Sequence, residues 1–150
     1  MTSALLLRAF RPALLALALL PAACATPPSP PPNPFAGIWS TPERQQIAFR
    51  DDTIVVALPN EPPAAMAPDT CDGAFRFGYG RRSRDALIGL APKQPDLRQR
   101  LGRLLGQSEY PVAEVSCGEG ATTYVMLDDR DLVAIHRDRD VAGLERLSRL

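Results

Sequence analysis

The chain has 150 residues, with seventeen basic and seventeen acidic side chains, so its formal net charge is zero. That balance gives no general pull toward nucleic acid or an anionic membrane surface, and the length suits one folded domain. Sixteen of the seventeen basic residues are Arg, with Lys93 the only Lys, a bias that fits genome composition better than function.

In chain order, Arg8 and Arg11 lead into an apolar run from Ala13 to Leu20, bracketed by Pro12 and Pro21. Such a run spans about 12 Å as a helix and falls short of the ~20 residues a bilayer crossing needs. A charged start, a short apolar core and small residues at its end describe a secretory signal peptide over residues 1–23. The alternative is a buried N-terminal helix, but the run carries no amphipathic stripe. Leu20-Pro21-Ala22-Ala23-Cys24 resembles the lipobox of bacterial lipoproteins, with Pro21 standing where that motif usually has Leu. The resemblance implies cleavage before Cys24, a diacylglycerol on its sulfur, and acylation of the new amino terminus. It thus implies attachment to the membrane through a lipid anchor. Ala25 directly after the Cys resembles the sorting pattern of outer-membrane retention, which leaves the domain facing the periplasm. Ordinary signal cleavage after Ala25, with Ala23 and Ala25 as the small residues, is the alternative.

Residues 24–34 then form the lipidated Cys and a Pro-rich tether. Pro27, Pro28, Pro30, Pro31, Pro32 and Pro34 favour extended polyproline II, which would hold the domain about 30 Å from its anchor. With Cys24 lost to the fold, Cys71 and Cys117 remain, and two cysteines in an exported domain are expected to pair as a disulfide. A metal pair is the alternative, but His136 is the only histidine and no Cys-x-x-Cys occurs, so neither a metal nor any other cofactor is expected.

Residues 35–150 read as a single β-rich α+β domain, a small antiparallel sheet or barrel of about eight short strands. Phe35 to Ser40 opens it, and Gln46 to Phe49 and Ile54 to Leu58 flank Asp51-Asp52 as a hairpin. The prolines between 59 and 70 predict a loop. Phe75, Phe77 and Tyr79 alternate with Arg76 and Gly78, which gives one aromatic and one polar face. An Arg-rich turn carrying Arg81, Arg82 and Arg84 leads to a strand over 86–90. Leu97, Leu101, Leu104 and Leu105 have the spacing of a buried helical stripe, which predicts one amphipathic helix over 97–105 with Asp96 as its cap. Val112 to Cys117, Thr122 to Leu127 and Leu132 to His136 are further strands. Val141, Leu144, Leu147 and Leu150 recur every third residue, which favours a C-terminal helix over 141–150; a last strand is the alternative, and Gly143 weighs against the helix.

Gly37-Ile38-Trp39 on the first strand resembles the opening motif of the calycins, which include lipocalins and small bacterial envelope inhibitors. That resemblance implies that an Arg near the C-terminus, Arg146 or Arg149, covers the Trp. A Trp that simply fills the core is the alternative.

No Gly-x-Ser-x-Gly, His-Glu-x-x-His or P-loop occurs, so a non-enzyme is expected. Asp128, Asp129 and Asp131 lack the spacing and central Gly of a calcium loop and read as a solvated turn. The charge is polarised: residues 76–103 carry a net +6, flanked by segments of net −4 on either side. Arg76, Arg81, Arg82 and Arg84 are the candidate partner-binding residues, either as a solvated surface or as a basic patch for an acidic protein or envelope component. Two functions follow: a non-catalytic binding or inhibitor module of the envelope, or a structural accessory lipoprotein of an outer-membrane assembly.

Overall fold

In a computed structural model, the described residues are 33–139 and 141–150. The expected signal peptide, Cys24 and the expected tether up to residue 32 lie outside them. The described strands are β1 (Ile38–Ser40), β2 (Gln46–Phe49), β3 (Ile54–Ala57), β4 (Ala64–Ala65), β5 (Phe75–Ser83), β6 (Glu109–Cys117), β7 (Gly120–Met126), β8 (Asp131–Asp138) and β9 (Val141–Arg149). Two helices, α1 (Arg84–Ile88) and α2 (Pro95–Leu104), follow β5, and a short 3-10 turn spans Pro68–Thr70. The domain is therefore β-rich and antiparallel, with nine strands in one sheet ordered β4-β3-β2-β1-β9-β8-β7-β6-β5. Strands adjacent in the sheet are consecutive in sequence except at one junction, where β9 returns beside β1 through Trp39↔Arg149 and Ser40↔Ser148. Strands β4 and β5 are the two edges.

Alternation along the strands builds two apolar clusters, one on each face of the sheet. One joins Trp39, Ile47, Phe49 and Ile54 from β1–β3 to Val115, Tyr124, Leu132 and Leu147 from β6–β9. Strands that far apart in the sheet meet only if it curls, so this cluster fills the inside of a half-barrel. Phe35, Phe49, Phe77, Tyr79 and Tyr124 line it with ring centroids 5.0–5.7 Å apart. The outer cluster sets Leu87, Leu97, Leu101 and Leu105 of the helical segment against Val112, Val125, Val133 and Ile135.

The stripe helix appears as α2, but Pro95 occupies its first turn, Gln94 stands at the cap, and the Asp96 cap expected from the sequence is absent. Residues 86–90 correct the expectation of a strand. Ser83 accepts from the Ala86 N–H at 3.2 Å and starts α1, whose Leu87 is fully buried. An apolar run that short has no resolvable period, and the cap decides it.

The C-terminal segment is a second correction: it is strand β9, not a helix. Its alternate residues Ala142 and Leu144 join the outer cluster while Leu147 joins the inner one. Val141 and Leu150, two members of the period-three series, are 67% and 72% exposed. Pairing with both β8 and β1 outweighs the helical propensity of a segment that contains Gly143. The Asp-rich turn is closed locally, Asp128 accepting from the Arg130 and Asp131 N–H groups at 2.8 and 2.9 Å, while Asp131 pairs with Arg146.

Tyr124 is buried beside Glu145. Burial first, then that carboxylate, holds its phenol well above the ordinary range. A phenol whose folded pKa is raised contributes stability below its unfolded pKa and loses it as pH rises further. Stability is therefore expected to fall once pH exceeds about 10, where an unfolded Tyr ionises. Phenolate absorbance should rise in step with unfolding, and Tyr124→Phe should flatten that alkaline limb.

Candidate functional site

The sequence-derived site residues fall into three places. The Sγ atoms of Cys71 and Cys117 stand at disulfide distance, 2.06 Å, and join the loop before β5 to the end of β6. Gly73 and Gly118 meet beside this link. A Cβ on Gly118 would lie 2.4 Å from the Asp72 carbonyl oxygen, and its φ of +58° also favours glycine.

Arg81, Arg82 and Arg84 do not form one projecting turn. β5 continues through Ser83, so Arg81 and Arg82 are strand residues, and Arg84 opens α1. Arg81 donates to Glu109 at 2.6 Å, and Arg82 makes a two-pronged contact with Glu114 at 3.2 and 2.9 Å. These pairs are half-exposed, so each is worth at most about 1 kcal/mol and yields readily to a competing anion. Arg84 has a different task. Its guanidinium donates to the carbonyls of Gly102 and Leu105, both at 2.7 Å, and so closes the C-terminal end of α2, where cations are favoured.

Arg76 keeps the role of an exposed candidate contact, and the fold brings it a partner that the sequence did not mark. Register sets Arg76 opposite Ser116, Ser116 opposite Ala121, and Ala121 opposite Arg137. All four share the helix-bearing face of the sheet. Together with Arg82, Glu114, Thr123 and α1 residues they line a groove of about 530 Å³. Among the described residues, the side chains of Arg76, Arg137, Ser116 and Thr123 have no hydrogen-bond or ion-pair partner. The other basic residues of the +6 segment divide differently, with Arg100 and Arg103 lining a separate recess beside Leu144 and Arg146.

On the inner face, His136 stands between Thr122 Oγ1, 3.0 Å from its Nδ1, and Glu145 Oε2, 3.2 Å from its Nε2. At the barrel junction, Arg149 lies over the Trp39 ring with its guanidinium carbon 4.3 Å from the ring centroid. Arg146, the other arginine considered for that place, binds Asp131 instead. Gly37 makes room for this contact: its φ is +117°, and a Cβ there would meet the Arg149 guanidinium at 2.9 Å.

Compared with protein-family models, curated proteins and solved structures, the chain matches none.

Proposed function

We propose that the protein is a lipid-anchored component of the bacterial cell envelope, attached at Cys24 and most simply to the outer membrane. Its folded domain serves as a non-catalytic binding or inhibitor module that faces the periplasm. The observation that carries the binding role is the groove across β5–β8 beside α1, where Arg76 and Arg137 are exposed and without partners among the described residues. Charged side chains left unpaired around a concavity favour an acidic partner through steering and paired hydrogen bonds. The resemblance to calycins draws support from Arg149 stacked on Trp39, the contact it implies.

The second reading, an accessory lipoprotein of an outer-membrane assembly, draws on the free side of β5. Among the described residues this nine-residue edge strand pairs only with β6, and its open side can accept a further strand.

The binding reading is tested by capture from envelope extracts at low salt, with wild type compared to Arg76→Glu/Arg137→Glu. Both residues are exposed, so the reversal should cost less than about 0.5 kcal/mol of stability per site. Arg84 is left intact, because its replacement would strip the end of α2. Loss of an acidic partner on reversal supports the reading. Capture that is unchanged by the reversal and insensitive to salt refutes it. A soluble hydrolase as the captured partner favours the inhibitor role, and a membrane complex favours the accessory role.

A further inference from the structure

We infer that the determinant recognised in this groove is a multiply charged phosphate group, either a phosphate monoester or a pyrophosphate. The inference rests on the reading of the arginine groove as a binding surface. The cross-strand row Arg76–Ser116–Ala121–Arg137 places a guanidinium at each end and two small residues in the middle. Nothing long stands between the two forks, so both can turn toward an anion resting on the floor of the row. In the next row Gly78 faces Glu114, which faces Thr123. Gly78 contributes no side chain, and the position its Cβ would take has no atom within 4 Å. The far wall is apolar, formed by Ala86, Leu87 and Leu90, which limits competition from water on that side.

Charge decides the ligand class. Arg76, Arg82 and Arg137 against Glu114 leave the groove at a net +2. A phosphate monoester carries about −1.5 to −2 at neutral pH and offers three acceptor oxygens, which two forks can share. The hydroxyls of Ser116 and Thr123 supply further donors from the floor. A single carboxylate has half that charge and fewer acceptors, so it would leave one fork unused.

The test uses the full chain carrying Cys24→Ser, so that no acyl group confuses the readout. Titration calorimetry with pyrophosphate and with glycerol 3-phosphate measures the soluble source. Flotation with phosphatidylcholine vesicles, with and without phosphatidic acid, measures the lipid headgroup. Binding should be weakened about tenfold or more by Arg76→Gln or Arg137→Gln, the scale of a lost charge-assisted contact. Gly78→Leu should weaken it similarly, since it fills the groove while leaving every charge in place. Arg100→Gln, outside the groove, should leave it unchanged. Sensitivity of the vesicle arm alone to these variants assigns a headgroup as the source; sensitivity of the soluble arm assigns a free phosphate. Failure of both arms overturns the inference, as does equal binding of succinate or indifference to Arg137→Gln and Gly78→Leu. If the acidic protein is still captured through Arg76 and Arg137 while phosphate fails, only this inference falls. If both fail, the binding reading falls with it.

Discussion

Trp39→Ala is expected to destabilise the domain by about 3–5 kcal/mol, the range for removing a large aromatic from a packed core. Trp39 is fully buried, its Nε1–H donates to the Phe35 carbonyl at 3.0 Å, and its ring carries the Arg149 guanidinium. The change would open a cavity, strand the Phe35 carbonyl and remove the surface on which Arg149 rests. That arginine also donates to the carbonyls of Pro34, Ala36 and Asp129, so it ties the start of the domain to the β8 turn and to β9. Native domains hold only about 5–15 kcal/mol in total, so this single loss would consume much of the margin. Urea unfolding followed by circular dichroism should show a lower midpoint at unchanged slope. Trp39 is the only tryptophan, so wild-type fluorescence reports this site directly and should be blue-shifted and poorly quenched by iodide. A loss below about 1 kcal/mol, or a red and readily quenched spectrum, would contradict a buried closing residue.

The second large effect is expected at the disulfide. Cys71 and Cys117 are 46 residues apart in sequence. In the chain-entropy account, a loop of that size stabilises by about 4 kcal/mol, because it restricts the unfolded chain. The link also fixes the start of β5, whose open side has no neighbouring strand among the described residues. Cys71→Ser/Cys117→Ser should therefore lower the urea midpoint strongly and expose the β5 end to proteolysis before the rest of the sheet. Mass analysis without reductant should find no alkylatable thiol at either position in exported protein. Two free thiols in native material would overturn this expectation.

Much of the sheet was legible because short apolar runs are set off by turn residues, as Ile54 to Ala57 is by Asp51-Asp52 and Leu132 to Ile135 by the Asp-rich turn before it. Phe75 to Tyr79 alternates with a period of two, and α2 carries a clear stripe. What was not legible depended on contacts between distant segments. The C-terminal series Val141, Leu144, Leu147 has a helical spacing, yet the segment is held as a strand by β8 on one side and β1 on the other. Residues 84–88 became helical because Ser83 caps them, a choice an apolar run of that length does not reveal. The groove shows the same division. Arg76 was visible as an exposed strand residue, whereas Arg137 reaches the same row only through the register of β5 to β8. Arg137 follows His136 in β8 and so faces the other side of the sheet, but no local signal ties it to Arg76. Arg84 was misread for a related reason: its partners, Gly102 and Leu105, lie at the far end of another helix.

The lipid anchor proposed at Cys24 would present this domain in the cell envelope. Detergent phase partition of the exported wild-type protein, followed by intact mass and N-terminal peptide analysis, tests it most directly. Recovery in the detergent phase is expected, with the mature chain beginning at Cys24 and carrying a thioether-linked diacylglycerol and an acylated amino terminus. A water-soluble protein whose first residue is Thr26 would contradict it.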